Sequence, residues 1–453
     1  MTLDSHTPSA KQTQNESVLN QTLVEHSVGV ASSSAVSVAP SGVSQAPRPY
    51  KAFILAACLI VLVSMGMRQS LGLFVQPIVL NTGLSIALVS LAMAVGQVMW
   101  GFAQPIAGLL AERYGVRHVA LLGFLFLVGS LLMMPFMQNA TGVFLVFGIL
   151  SAIGAGLTSI SLFIGAAVQM VPAHRTSFVS GLINASSSLG QFIFAPLVQF
   201  FLSMWSWAIA TASLGLVALA SMPLLYWITG KTTATAVSKS TEAASACCGV
   251  AVPNEKVGFR HAWSSRNYRL LHIGFFTCGF HVAFLVTHLP GAVSMCGLPS
   301  TVASTALAVI GIANVFGSLA VGQLCQKYSM SKVLGSLYLI RVLAVVCYMF
   351  APKTEVTWYI FAAVLGTTWL ATVPPTAGLV GGLFGLRNIS TLFGLTMLSH
   401  QVGAFLGAYL GGLAVQYTHS FDWMWWADAA LALVAAIASF AVKVPRDTTA
   451  RTA

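Results

Sequence analysis

The chain of 453 residues is 57% hydrophobic and only 7% charged, whereas soluble domains carry roughly 25% charged residues. This composition excludes an ordinary soluble globular protein and indicates a membrane protein. The formal net charge of +11 would suit a nucleic-acid partner, but the cations lie in alternate loops between apolar runs. We therefore attribute the charge to membrane topology and predict no nucleic-acid partner.

Long apolar runs dominate the chain. Each is long enough for a helix to cross about 30 Å of hydrocarbon, and the alternation over roughly ten residues that marks membrane β-barrel strands does not occur. We predict an all-α membrane protein with twelve transmembrane helices, called spans 1 to 12 in chain order. They lie near residues 52–79, 86–111, 119–138, 143–169, 178–203, 207–229, 269–292, 300–325, 333–351, 356–380, 388–414 and 422–442.

The Lys and Arg residues show which loops face the cytoplasm. Arg68 and Arg341 lie inside spans and Lys353 lies in the loop before span 10, but the other cations fall in the termini and in alternate loops. Loops rich in Lys and Arg stay on the cytoplasmic side. The sequence therefore predicts a multi-pass membrane protein with both termini in the cytoplasm.

The polar segments outside the spans are predicted to be connectors. Residues 1–50 lack the apolar core of a signal peptide, and their composition favours a disordered cytoplasmic tail. Residues 230–266 carry several cations and are interpreted as a cytoplasmic linker, and 444–453 form a second tail. The seven cysteines show no metal-ligand spacing, so no metal site and no cofactor are predicted.

A charged turn between spans 2 and 3 recurs in weakened form between spans 8 and 9. Its first copy runs from Gly108 to His118, and its second copy, 214 residues later, keeps the glycine, the leucine two places on, a cation and the tyrosine. Such a repeat predicts an internal duplication, with six-helix bundles at 51–229 and 267–443. Further matches at nearly the same offset pair Pro77 with Pro290, Gly181 with Gly394, and Gly190 with Gly403.

The turn, the twelve spans, the six-plus-six repeat and the long central loop together resemble the major facilitator superfamily. In that family the loop between spans 2 and 3 reads G-x-L-a-D-r-x-G-r-r, and Glu112 stands here where Asp is usual. The resemblance covers about residues 50–445. It implies two pseudo-symmetric bundles that rock around a mid-membrane site, hence a transporter rather than an enzyme, functional as a monomer.

The charged turn is also a candidate gate. Gly108 allows close helix packing, and a carboxylate at Glu112 is stabilised by the N-terminus of a helix, which the resemblance places in span 11 near Asn388 to Thr391. We hypothesise that Gly108, Glu112, Arg113 and Arg117 hold the two halves together on the cytoplasmic side. The alternative is that these charges only fix the topology.

Two ionisable residues lie in the middle of spans. Arg68 lies in span 1, and the repeat pairs it with His281 in span 7. Ionisable groups inside a membrane are costly and by default mark a pathway. A guanidinium suits a carboxylate, and a histidine can take a proton near neutral pH. The resemblance places the two across a substrate site; alternatively, Arg68 pairs within the first half and His281 only packs.

Other polar residues at mid-span could contribute. We favour Trp369, Asn314 and His400 as further substrate contacts because they lie near the expected depth, although polar residues in spans often serve helix packing. No carboxylate lies at mid-depth in the cavity-lining spans, so proton coupling would use His281 or His400. Arg341 and Asp428 are expected on outer helices, paired with each other or with backbone.

The segments around Arg68 and His281 indicate a more specific class of transporter. Arg68 to Phe74 and Gly279 to Pro290 look similar to a bacterial group related to monocarboxylate transporters and oxalate:formate antiporters. We therefore predict a secondary carrier of a small organic anion, most simply a monocarboxylate. Its other predicted partners are protons and the lipid bilayer, and proton symport is one predicted mode of transport. The alternatives are an efflux carrier for neutral or amphiphilic compounds and a membrane sensor without transport.

Overall fold

The computed structural model describes residues 50–171, 175–228, 259–385 and 389–443. Within these ranges the regular secondary structure is helical, and the predicted tails and most of the predicted linker lie outside them. Eleven helices in the described part are long and apolar enough to cross a membrane. The remaining long helix, span 11, covers 30 residues and carries the polar run Ser399-His400-Gln401 near its middle.

The spans begin and end within a few residues of the predicted bounds, and the prediction of an all-α, twelve-helix membrane fold is confirmed. Spans 1 to 6 are Tyr50–Thr82, Ile86–Tyr114, Val116–Phe136, Ala140–Ala167, Phe178–Met204 and Trp207–Trp227. Spans 7 to 10 are Arg266–Met295, Ser300–Lys327, Met330–Phe350 and Glu355–Phe384, and span 12 is Asp422–Ala441. Span 11 is Ile389–Thr418, and the short helix Phe259–Ser264 precedes span 7.

Short polar turns separate neighbouring spans. Ser85 begins span 2 by accepting a hydrogen bond from the backbone N–H of Leu88, and Ser329 begins span 9 in the same way. Such caps satisfy amides that have no partner inside the helix. Span 2 ends at Gly115, where φ is +88°. Because side chains disfavour this backbone conformation, the turn into span 3 requires a glycine.

Lys353, the cation that departs from the alternate-loop pattern, closes the end of span 9. Its Nζ donates to the carbonyl oxygens of Tyr348, of Met349 at 3.1 Å and of Ala351 at 3.3 Å. It also lies 4.0 Å from the ring centroid of Tyr348. Partial burial lowers the pKa of Lys353 below its usual range. A cation that binds the last carbonyls of a helix is favoured locally, which explains its position.

Spans 4 and 10 are interrupted at equivalent positions of the repeat. The break in span 4 separates the helices Ser151–Leu157 and Ile160–Met170, and the break in span 10 separates Glu355–Thr368 and Val373–Phe384. Interrupted backbone is tolerated at membrane depth only where other groups satisfy it. In span 4 the Ser64 hydroxyl donates to a freed carbonyl at 3.4 Å.

Glycine crossings hold each half together. In the first half, a Cβ on Gly190 of span 5 would lie 2.2 Å from the carbonyl oxygen of Leu62 in span 1, beside Gly66. In the second half, Cβ atoms on Gly279 and Gly403 would each lie 1.9 Å from a carbonyl oxygen of the facing helix. These positions correspond in the repeat, so spans 1 and 5 cross as spans 7 and 11 do, with backbone against backbone.

The halves meet along two seams, one between spans 2 and 11 and one between spans 5 and 8. In the first seam the Ala87 N–H donates to Gln416 at 3.1 Å, and a Cβ on Gly101 would lie 2.4 Å from Gln401. In the second seam Gln199 donates to Ser300 at 2.7 Å. A Cβ on Gly311 would lie 2.7 Å from the carbonyl oxygen of Ser188.

Both seams separate toward the inner end, defined here as the end at which span 1 begins. Gly181, Gly322 and Gly394 follow the seam contacts at steps of seven or eleven residues, which return to the same helix face. Yet a Cβ on any of these three glycines would meet no atom within 4 Å. The structure is therefore packed along the outer half of each seam and open along the inner half.

The glycine crossing in the first half gives a stability prediction. Gly190→Ala places a methyl group against the backbone of span 1, and overpacking of this kind costs about 1–3 kcal/mol. Gly129→Ala in span 3 is the control, because its Cβ would meet no atom within 4 Å. Thermal unfolding of purified protein in detergent should show a lower Tm for Gly190→Ala and an unchanged Tm for Gly129→Ala. Equal Tm values would contradict the crossing.

Candidate functional site

Arg68 lies at the end of the first helix of span 1, before a short 3₁₀ turn at Leu71–Phe74. Its Nη2 donates to Oε1 of Gln97 at 2.5 Å, and its Cζ lies 4.2 Å from the ring centroid of Trp100. Both contacts come from span 2, and both partners are neutral. Within the described residues no carboxylate pairs with Arg68. Its guanidinium is always charged, so this half-buried positive charge is uncompensated.

Arg68 lines a narrow cavity enclosed by spans 1 to 4. Gln97 and Ser151 supply the other polar side chains of its lining. The rest of the lining is apolar or glycine: Met67, Leu71, Met93, Gly96, Leu127, Leu131, Phe147, Gly148, Ala152 and Ala155. One fixed cation among apolar walls suits an anion with an apolar body.

His281 lies in the second half and pairs with Asp428 of span 12. The distance from Nδ1 to Oδ2 is 2.6 Å, and both side chains have 0% exposure. Nε2 of His281 and Oδ1 of Asp428 are buried and have no hydrogen-bond partner in the described part of the chain. The ring of Trp369 lies 6.1 Å from the imidazole, centroid to centroid. This pair is therefore a polar site closed off from water.

The pairing of Asp428 differs from the expectation that it binds Arg341 or backbone. The residue types alone carried a signal for it, because Asp428 is the only carboxylate well inside a predicted span. A buried carboxylate needs a donor, and His281 is one of few donors at mid-span. The sequence did not predict this pair, because the resemblance places span 12 on the outside of the bundle.

Arg341 satisfies the break in span 10, in line with the expected backbone pairing. It has 0% exposure, and its Nη2 donates to the carbonyl oxygens of Thr368 and, at 2.8 Å, of Trp369. Its Nε donates to the Thr368 hydroxyl at 3.2 Å. Trp369 is 1% exposed and lies at the break itself. The break thus fixes Trp369 beside His281.

Asn314 connects the same break to the first half. Its Oδ1 accepts from the backbone N–H of Leu370 at 3.0 Å, and its Nδ2 donates to the Ser188 hydroxyl across the seam at 2.7 Å. Asn314 is 1% exposed. Both the oxygen and the nitrogen of the Asn314 amide are therefore hydrogen-bonded, which suits a residue that stabilises the break.

His400 lies at the crossing of spans 7 and 11. Its carbonyl oxygen packs against Gly279, and its ring lies 5.3 Å from that of Phe275, centroid to centroid. Its Nδ1 is buried without a hydrogen-bond partner among the described residues. Arg68 contacts span 2 and His281 contacts span 12, and no hydrogen bond joins these two in the described ranges.

The predicted gate residues lie at the inner end of span 2 and the start of span 3. Glu112 is half-buried and has no ion-pair partner among the residues that the structure describes. Arg113 and Arg117 are exposed, with their guanidinium carbons 5.4 Å and 5.7 Å from the ring centroids of Tyr114 and Tyr226. Gly108 lies seven residues after Gly101, on the seam face of span 2. Asn388, the expected partner region of Glu112, lies outside the described residues.

Twelve helices in two related bundles, with buried polar groups at mid-span and seams packed at one end only, are the features of a transporter. Comparison with known families agrees: residues 57–407 match the Major Facilitator Superfamily. The chain belongs to this superfamily. It is therefore a multi-pass membrane transporter for a small molecule, and not an enzyme.

Two relatives agree with this assignment, and one solved structure agrees with the fold. The chain is 24% identical over 390 residues to the uncharacterized MFS-type transporter YcxA of Bacillus subtilis (strain 168), covering 82% of this chain and 90% of the relative. It is 27% identical over 370 residues to monocarboxylate transporter 13 of Rattus norvegicus, covering 79% and 81%. The crystal structure of a D-xylose-proton symporter matches with a TM-score of 0.66 at 15% identity, covering 87% and 98%.

The bonds of Asn314 give a second prediction. Asn314→Leu leaves the buried N–H of Leu370 without its acceptor, and such a loss costs about 1–3 kcal/mol. Asn81→Leu is the control, because Asn81 is exposed and bonds only within its own turn. The Tm of Asn314→Leu in detergent should fall, and that of Asn81→Leu should not. An unchanged Tm for Asn314→Leu would show that the amide does not support the break.

Proposed function

We propose that the protein is a secondary active transporter of a small organic anion, most simply a monocarboxylate with an apolar body. The observation that carries this proposal is the uncompensated charge of Arg68 in an apolar-lined cavity. A buried charge without a counter-ion is costly, so an anion that supplies the missing charge gains both the ion pair and apolar contact. A cationic substrate would be repelled.

The similarity to monocarboxylate transporter 13 of Rattus norvegicus supports a carboxylate, and the bacterial relative supports residence in the inner (plasma) membrane. In this proposal Arg68 holds the carboxylate while Gln97 and Trp100 orient the guanidinium. From the second half, His400 keeps an unpartnered ring nitrogen and is the better candidate contact. Asn314 and Trp369 shape the site through the break in span 10.

Binding measurements on purified protein test the anion site. Lactate, pyruvate and larger monocarboxylates should raise the Tm of the wild type, because a ligand that binds only the folded state stabilises it. Arg68→Gln should abolish this stabilisation. Gln97→Glu should abolish it too, because a carboxylate at the bonding distance of Gln97 would neutralise Arg68 from within.

The control for the loss of a positive charge is Arg269→Gln, since Arg269 is exposed at the start of span 7. This variant should keep the ligand-induced shift. Stabilisation by neutral or amphiphilic drugs alone, indifferent to Arg68, would contradict the anion site and favour the efflux alternative.

We also propose that the inner half of the seams is the gate. Gly394 lies seven residues before Gln401, and Gly108 lies seven after Gly101, so continuing the packed contact by two turns brings these glycines face to face. The same continuation carries Glu112 to the start of span 11, whose N-terminus would stabilise its charge. In the second seam, Gly181 and Gly322 correspond to this pair in the repeat.

Leucine at the second pair of glycines tests the gate. Gly181→Leu and Gly322→Leu fit the open space present here but would block closure of the inner half. Transport in proteoliposomes should fall at least tenfold, while the Tm and its shift with ligand should remain. Gly129→Leu, in open space away from the seams, should transport normally. Normal transport by both seam variants would contradict the proposed gate. Unchanged transport kinetics in Glu112→Gln would contradict it as well.

A further inference from the structure

The buried pair of His281 and Asp428 has features that a fixed structural ion pair does not need. One contact of 2.6 Å joins Nδ1 to Oδ2, with both side chains at 0% exposure. The outward atoms of the pair, Nε2 of His281 and Oδ1 of Asp428, are buried without a partner in the described part of the chain. We propose that Nε2 of His281 is the binding site of a transported proton, with Asp428 as its permanent partner. This inference rests on the proposed anion transport.

Several ionisable groups lie on the helices packed around the pair. Titratable groups on the helices packed around it are Asp428 of span 12, Arg341 and Tyr338 of span 9, His400 of span 11 and Cys278 of span 7 itself, while span 10 contributes Trp369 and Thr368. Arg341 is always charged and, among the residues that the structure describes, its guanidinium donates to hydroxyl and carbonyl oxygens only.

Before the proton binds, His281 in this proposal donates its Nδ1–H to Asp428, and Nε2 carries a lone pair. Which nitrogen of a histidine holds the proton is set by the hydrogen bond that the other makes, so Asp428 prepares Nε2 as the base. The proton enters from water on one side of the membrane, forms the Nε2–H bond of an imidazolium, and leaves as that bond breaks toward the other side. The 0% exposure means that the inner-open state shown here keeps the pair shut off from water.

Protonation also provides coupling to the anion. An imidazolium at His281 adds one positive charge to the membrane interior, and an anion bound at Arg68 offsets part of its cost. By reciprocity, the proton favours the anion as much as the anion favours the proton. Both ligands therefore load together, which is the behaviour of a symporter.

The site can be tested in proteoliposomes with labelled lactate and pyruvate as probes. With an alkaline interior, the wild type should accumulate the probe, and His281→Gln and Asp428→Asn should lose this accumulation at least tenfold. Both variants should retain exchange of internal for external probe at equal pH, because exchange needs no net proton movement. His288→Gln is the matched control: His288 lies on the same helix and is buried, but its Nε2 bonds to the Ala408 carbonyl at 2.7 Å.

Each outcome bears on one proposal. If the wild type exchanges the probe but does not accumulate it in response to the pH gradient, the proton site is contradicted and the anion site is not. Accumulation that persists in His281→Gln would also overturn it, as would a folded His281→Gln that loses exchange as well. If no carboxylate binds or exchanges, the anion transport itself fails.

A second measurement covers variants that do not fold. On addition of lactate to wild-type protein in weakly buffered detergent, a pH dye should report uptake of protons, and Asp428→Glu should preserve it. Proton release, or no uptake, on lactate binding would overturn the site without any reference to a His281 variant.

Discussion

An unsatisfied backbone group is costly in hydrocarbon, and this constraint organises the polar interior of the protein. Spans 4 and 10 are broken at equivalent positions of the two halves, and each of these breaks recruits a polar side chain from a neighbouring helix. In the first half the hydroxyl of Ser64 donates to the carbonyl oxygen of Thr158 at the break. In the second half Arg341 donates to carbonyl oxygens of the break, and Asn314 accepts from a backbone N–H of the break. The buried carboxylate of Asp428 is paired with His281 instead.

The two halves share a backbone plan but differ in charge. The repeat places Arg68 and His281 at equivalent points of spans 1 and 7, yet Arg68 has neutral partners and His281 has a carboxylate. Duplication thus produced one position with a positive charge among neutral partners and one position with a carboxylate partner. We infer that this asymmetry divides substrate binding and proton binding between the halves.

The apolar runs and the repeat were enough to predict the number of helices, their bounds and the two-bundle fold, because membrane crossing constrains length and composition so strongly. They also singled out Arg68 and His281. What they could not supply was partners: Gln97 and Trp100 for Arg68, or Asp428 for His281. Partners depend on helix rotation and depth, which hydropathy does not encode. The same holds for Asn314, whose bonds to Leu370 at the break and to Ser188 across the seam could not be predicted from the sequence.

The glycine crossings have a mechanical consequence. Where spans 1 and 5, or 7 and 11, touch backbone to backbone, no side chain can change rotamer to absorb a movement, so each half moves as a rigid body. A helix end about 14 residues from such a crossing lies about 21 Å away. A turn of the half by about 10° at the level of the crossing therefore moves that end by about 4 Å, and moves the opposite end the other way. One small rotation thus loosens a seam at one end while it tightens the same seam at the other.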